Sequence, residues 1–360
     1  MTGKERIKRI LNHERADRIG FHETFWWETV KKYRDEGHLK ADERHEDHFN
    51  YDLDECWTFN MTADLDFKPK ILREDKDTKT ELSGNGAVLR WKKHESSTPE
   101  HIDFTVKEQK DWLPYREHLT AKKDFDRRIN FEAYRSMKKD ADSKGRFFNW
   151  SGVNVFECMH PVCGHENMLV GMVLEPEWIL DMGEVYSDLT VELMKILFER
   201  EGKPDGLFFY EDMGFKERPF MSPDMYRELI MPSHIKTIEF AHSLGLPVFM
   251  HSCGFIEPLL PHMVEAGIDC LQAMEVKAGM DLLRIHRNFG KKIALFGGID
   301  VRVLYSNDKK KIDAELESKI PIVKKSNGFI LHSDHSIPPQ VEYETIKYFF
   351  KKGLELGIYN

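Results

Sequence analysis

From about residue 145 onward the chain repeats one pattern: a short apolar run, a polar or glycine-rich loop, then a stretch of helical length. The apolar runs fall at 146–150, 206–210, 246–250, 269–273, 292–296 and 328–331. None alternates strictly between apolar and polar, which marks strands covered on both faces. The connections are long enough to hold helices, as in SPDMYRELIMPSHIKTIEFAHSLG at 222–245. Parallel strands joined by helices are the expected outcome. Upstream, residues 3–12 have the spacing of an amphipathic helix with Ile7, Ile10 and Leu11 on one face, and an extended piece begins at 18–21. The segment 41–140 breaks the rhythm. It is charged and irregular, with a hairpin signal where Gly84-Asn85-Gly86 separates two short β-prone runs, so it is expected to form a cap or insertion on a single domain.

The residues that follow the strands choose between an open sheet and a barrel. They are Ser151-Gly152 with Glu157 nearby, Glu211-Asp212, His251-Ser252-Cys253-Gly254, Glu275, Gly297-Gly298 with Asp300, and His332-Ser333-Asp334-His335. An open sheet concentrates its ligand contacts at one switch point. Polar chemistry at nearly every strand end instead fits strands whose C-terminal ends converge on one mouth. The fold expected is a (β/α)8 TIM-type barrel with an N-terminal irregular insertion.

Composition removes several functions. Lys plus Arg is 53 and Asp plus Glu is 62, a net charge of −9 spread along the chain. Nucleic acid, which draws mainly on a positive surface, is not an expected partner. No apolar stretch approaches the roughly 20 residues of a membrane span, and the charged start MTGKERIKRILNHERADR has no signal-peptide core, so a cytoplasmic location is expected. Five cysteines without regular spacing do not describe a disulfide framework.

One thiol stands out. In LPVFMHSCGFIEPLLPHM at 246–263, His251 and Cys253 lie two apart where a strand runs out, so both face one side and are placed to share a metal ion, while Gly254 lets the chain turn. A catalytic zinc site takes three protein ligands and keeps a position open. His335 is the expected third ligand, and Glu211 a substitute or fourth. His332, Glu157, Glu211 and Asp212 are the candidates for proton handling and substrate orientation. The cluster Cys158, His160, Cys163 and His165 also has metal-ligand chemistry, but it has no second pair elsewhere and reads as a loop and helix start.

Taken together, RIKRILNHERADRIGF, ENMLVGMVLEPEWI, EDMGFKERPFMSPDMYRELIMPSH, VFMHSCGFIEPLLPHMVEAGIDCLQAMEVKAGMD, LFGGID and GFILHSDHSIPPQVEYE resemble the uroporphyrinogen decarboxylase superfamily, in its branch of corrinoid-dependent methyltransferases. The resemblance implies the same barrel with its site at the C-terminal mouth. It also implies zinc on the His and Cys of H-x-C-G and on a second Cys near the chain end. Here these positions are His251, Cys253 and His335, the last a departure from thiolate that would leave the ion a net positive charge and favour polarising an oxygen over activating a thiol. The decarboxylases of that superfamily hold their polyanionic substrate with N-terminal arginines, whereas the matching stretch RIGFHETFWWETVKKYRDEG has no such pair. Trp26 and Trp27, with His22 in the same stretch, are instead expected to wall the substrate.

The expected function is a zinc-dependent methyltransferase that exchanges a methyl group between a small substrate, with an O-methyl compound in mind, and the cobalt of a corrinoid (cobalamin) protein docked over the mouth. A decarboxylase acting on a porphyrinogen or a smaller acid is the alternative. A barrel that only binds a corrinoid protein or a small ligand is the third reading, and self-association into a homodimer is left open.

Overall fold

The computed structural model describes residues 1–94 and 98–359. Its strands are β1 (Gly20–Phe21), β2 (Leu53–Trp57), β3 (Lys70–Glu74), β4 (Thr78–Leu82), β5 (Ala87–Lys92), β6 (Glu100–Phe104), β7 (Phe147–Val153), β8 (Gly206–Tyr210), β9 (Val248–Ser252), β10 (Cys270–Ala273), β11 (Ala294–Gly297) and β12 (Phe329–Leu331). Eight of these form a curled, parallel sheet in the order β1-β12-β11-β10-β9-β8-β7-β2. The Asp52 N–H donates to the Phe21 carbonyl at 2.9 Å and ties the two ends of that order together, consistent with a TIM-like fold. Among the described residues no helix is long and apolar enough to cross a membrane.

Two apolar cores follow from the strand period of two. The larger lies between the sheet and the surrounding helices. The smaller is built from Leu53, Phe147, Phe208, Phe249, Cys270, Ala294, Phe296 and Ile330, drawn from seven different strands, with Ile7 and Ile10 of the Gly3–Leu11 helix packed against them. This is the inside of the curled sheet, closed at one end by that helix. Two residues further along the same strands the inward positions turn polar: Glu55, Tyr210, His251, Gln272 and His332. Register places Tyr210 beside His251 and His251 beside Gln272, so these side chains form one ring at the C-terminal end.

The strand positions expected between 146 and 331 all appear, with ends shifted by up to three residues. The segment 41–140 is more divided than a simple cap. Of its residues, 95–97 lie outside those described. Its β3 to β6 form a separate antiparallel sheet around the Gly84–Gly86 turn, as the hairpin signal suggested. Its β2, however, pairs with β7 in the main sheet, and the Phe131–Lys144 helix packs against both. The sequence LDECW hides this strand because its polar residues have buried partners. Asp54 accepts from Arg44 at 2.7 Å and lies 3.4 Å from Arg146, and Glu55 accepts from Ser151 at 2.9 Å.

Candidate metal centre

At the end of β9 the His251 ring and the Cys253 thiol turn the same way, with His251 Nε2 3.2 Å from Cys253 Sγ. The chain can turn sharply after them because Gly254 adopts φ +78°, and a Cβ there would collide with the Gly214 carbonyl. The neighbouring β8 end brings Asp212, whose Oδ1 lies 3.3 Å from His251 Nε2 and accepts the Cys253 backbone N–H at 2.7 Å. One ligand atom from each of Asp212, His251 and Cys253 lies within 4.8 Å of the others, the only such group of three among the described residues. Ligand atoms on a tetrahedral zinc ion are separated by about 3.4–3.6 Å. The residues therefore fit a small cation with little movement.

The orientation of His251 supports this. Its Nδ1–H donates to Gln272 Oε1, which aims Nε2 at the thiol and carboxylate. Burial works against a charge on this imidazole, yet the acidic groups of Cys253 and Asp212 outweigh it and raise its pKa well above the ordinary value. Burial likewise opposes the Asp212 charge, but His251 and the Cys253 N–H hold the carboxyl below its usual range. Burial raises the pKa of the Cys253 thiol, so the group as it stands holds protons on His251 and Cys253 that a bound cation would displace.

A cavity of about 210 Å³ opens beside this group, lined among others by Trp26, Tyr210, His251, Cys253, His332 and His335. It joins residues from both ends of the chain, as convergence at a barrel mouth demands. His335 is in this cavity with Trp26 5.9 Å away, but it is not a member of the three-atom group; Asp212 occupies that place. His332 is fully buried at the cavity wall. Its Nδ1–H donates to the Ser333 carbonyl, so Nε2 is an acceptor, 3.3 Å from Thr24 Oγ1 and 3.2 Å from Glu23 Oε1. Burial lowers its pKa to about 3.

The other expected residues lie elsewhere. His22 is buried behind the cavity, its ring 5.9 Å from and parallel to that of His332. Trp27 is half exposed on a separate surface depression with Phe25 and Arg34. Glu211 is fully buried; it accepts the N–H groups of Phe156 at 2.7 Å and Glu157 at 3.1 Å and the Nε2–H of His234 at 2.6 Å. Its carboxylate thus caps the Val155–Leu174 helix. Glu157 lines a second, aromatic cavity. Asp334 gives its oxygens to the N–H groups of Val276 and Val301, both at 2.7 Å, and so ties loops together. Glu23, Glu55, Tyr210 and Gln272 were not expected. The last three carry the same signal as His251, a polar residue two positions beyond an inward apolar one, whereas the two-residue β1 provides no period by which to find Glu23.

A curled parallel sheet with a His, Cys and carboxylate cluster at its C-terminal mouth is the architecture of a barrel-type metal or cofactor site. The chain belongs to the uroporphyrinogen decarboxylase (URO-D) family, whose profile matches residues 156–353. Among similar proteins, the uroporphyrinogen decarboxylase of Streptomyces avermitilis is 24% identical over 52% of this chain and 49% of its own. The methylated-thiol–coenzyme M methyltransferase of Methanosarcina mazei is 29% identical over 41% of this chain and 37% of its own. The Chlorobium limicola uroporphyrinogen decarboxylase is 23% identical over 62% of this chain and 64% of its own. The matched regions thus span between about a third and two thirds of these relatives. A solved methyltransferase from Methanosarcina mazei shares the fold over 99% of both chains, with a TM-score of 0.69 at 15% identity.

Proposed function

We propose that the chain is a zinc-dependent methyltransferase that moves a methyl group from a small O-methyl substrate to the cobalt of a corrinoid carried by a separate protein. The observation that carries this reading is the group of His251 Nε2, Cys253 Sγ and Asp212 Oδ1 at the mouth, where the ligand spacing fits zinc. The thiol–coenzyme M relative supports methyl chemistry, and the full-length likeness to a methyltransferase supports the fold.

His251, Cys253 and Asp212 would hold the ion, in place of the set with His335. A zinc ion there would supply Lewis acidity to the methyl-bearing oxygen; with a thiolate and a carboxylate the centre is formally neutral, not positive as the set with His335 would be, so the charge of the metal no longer favours an oxygen over a thiol. Gln272 fixes the His251 tautomer. Tyr210 is held by its hydrogen bond to Glu55 at 3.0 Å and packs on His251, keeping that ring in place. His332 stands at the wall with its Nε2 turned to Thr24 and Glu23, and Trp26 and His335 wall the space where the small substrate sits. A reduced corrinoid on the partner would supply the electron pair for the new bond to the methyl group, while the C–O bonding pair would stay on the oxygen. The oxygen left behind takes a proton.

Metal analysis tests the centre first. Wild type should carry about one zinc per chain, Cys253→Ala and Asp212→Ala should lose it, and His335→Ala should keep it. Retention in Asp212→Ala with loss in His335→Ala would restore His335 as third ligand, and unchanged occupancy in both Cys253→Ala and Asp212→Ala would remove the metal centre. Zinc-loaded protein should then methylate cob(I)alamin from an O-methyl donor, followed by absorbance. Full metal occupancy without transfer from any donor would leave a binding barrel.

A further inference from the structure

The fold takes apart the cluster Cys158, His160, Cys163 and His165. Both thiols turn into the core, where Cys163 Sγ donates to the Met159 carbonyl at 3.4 Å and burial raises its pKa to about 12. His160 and His165 stay partly exposed. In a regular helix residues five apart point about 140° away from each other. Here Gly164, at φ +75°, breaks the Val155–Leu174 helix between them, and their rings lie 4.2 Å apart between centroids. A Cβ on Gly164 would strike the ring of Phe104 at the end of β6. That close approach seats β6 on the helix and brings in His101 from the same strand, its ring 6.1 Å from His160 and 6.2 Å from His165. Three imidazoles from two elements far apart in sequence thus gather at one spot.

Their chemistry suits a cation. Glu157 Oε2 accepts from His160 Nε2 at 3.1 Å, which makes Nδ1 of the neutral ring an acceptor, and this Nδ1 is buried without a hydrogen-bond partner. Packing on Phe104 and Phe220 accounts for where the rings lie, but not for the orphaned nitrogen. A carboxylate on one histidine nitrogen with the other left open is the arrangement that orients metal-bound imidazoles. Burial lowers the pKa of His101 and takes that of His165 down to about 4, so both are neutral at neutral pH, the form that binds metal. Two imidazoles on one ion, at metal–nitrogen distances of about 2.0–2.1 Å, have centroids about 5 Å apart. The pair at 4.2 Å has to open and the pairs at 6.1 and 6.2 Å to close, each by about 1 Å, which side-chain rotation supplies.

We propose that His101, His160 and His165 form a second site for a divalent transition-metal ion, with Glu157 orienting His160, and that the ion fastens the antiparallel sheet to the helix after β7. An all-imidazole set takes zinc, copper or nickel in preference to magnesium or calcium. Without a thiolate it holds the ion less tightly than the mouth does, so it fills when metal is supplied and not through purification. The ion's role is mechanical, and the site stands whether or not the barrel transfers a methyl group.

The test uses the full chain carrying Cys253→Ala, dialysed against a chelator so that the mouth holds no metal, and titrated with Co2+. Equilibrium dialysis should find about one Co2+ per chain, displaced by Zn2+ and not by Mg2+, with visible d–d absorption and no thiolate-to-cobalt band. His101→Ala and His165→Ala, each added to that background, should weaken binding at least tenfold, and Glu157→Ala about tenfold. His101 stands on an edge strand, so its loss leaves the cores intact. Saturating Zn2+ should raise the melting temperature of the Cys253→Ala chain by about 2–4 °C and leave that of the chain with both Cys253→Ala and His101→Ala unmoved. Absence of saturable Co2+ binding would overturn the site. A thiolate band would do the same by assigning the ion to Cys158 or Cys163, and so would undiminished affinity in both histidine variants, which would mean an adventitious ion elsewhere on the surface.

Discussion

The acid beneath the cavity shows how much a single buried group decides. Glu23 is fully buried, and burial raises its pKa to about 8 against the opposing N–H groups of Ser333 and Thr24. With His332 neutral and its Nε2 an acceptor, the protonated Glu23 carboxyl donates to that nitrogen at neutral pH. The folded value lies above the ordinary 4.5, so the folded chain holds a proton that the unfolded chain releases. Stability from this group is complete below 4.5 and falls as pH rises to about 8, by about 1.4 kcal/mol per unit. Melting temperature measured from pH 5 to 9 should therefore decline in wild type and flatten near the top. Glu23→Gln should decline less over the same window; an identical slope would mean the acid is already ionised. None of this is visible from HETFWW, where Glu23 reads as an ordinary charged residue.

Among the elements, the Gly3–Leu11 helix does more than begin the chain. Its Thr2 cap and Glu5 form a reciprocal capping box, and Ile7 and Ile10 reach the inner apolar layer below the polar ring. Its Arg6 pairs with Asp17 at 2.7 Å and Asp52 at 2.5 Å, fastening the helix to the chain entering β1 and β2. Ile10→Ala should destabilise the fold by about 2–4 kcal/mol, read as a lower denaturant midpoint, because the closed end cannot collapse fully around the lost atoms. Zinc content in native buffer should be unchanged, since the helix lies at the opposite end from the metal ligands. The amphipathic spacing alone predicted this helix and its buried face. It did not predict what the face covers.

For the whole molecule the choice is between a polyanion and a small neutral substrate. Two of the similar proteins decarboxylate uroporphyrinogen, but neither mouth cavity here is lined by Lys or Arg, and the chain carries a net −9. Without cations to replace the lost hydration, each carboxylate entering the mouth is penalised. Incubation with uroporphyrinogen should yield no decarboxylated product above a protein-free control. Turnover of that substrate would replace the methyl-transfer reading with the decarboxylase one.

The sequence by itself determined the features that depend on local period and spacing. These are the strands after residue 145, the first helix, the Gly84–Gly86 turn, and His251 and Cys253 on one side of a strand end. Such features need only the backbone geometry of a few neighbouring residues. Which side chains meet across strands was decided by the tertiary structure alone. Register put Asp212, not His335, beside Cys253, and put Gln272 on His251 Nδ1. It drew β2 into the main sheet despite its charges, turned Glu211 into a helix cap, and put Trp26 in the cavity by the metal ligands but Trp27 on a separate depression. Contacts between residues tens to hundreds of positions apart depend on how the sheet curls and in what order its strands pair, and no local pattern carries that information.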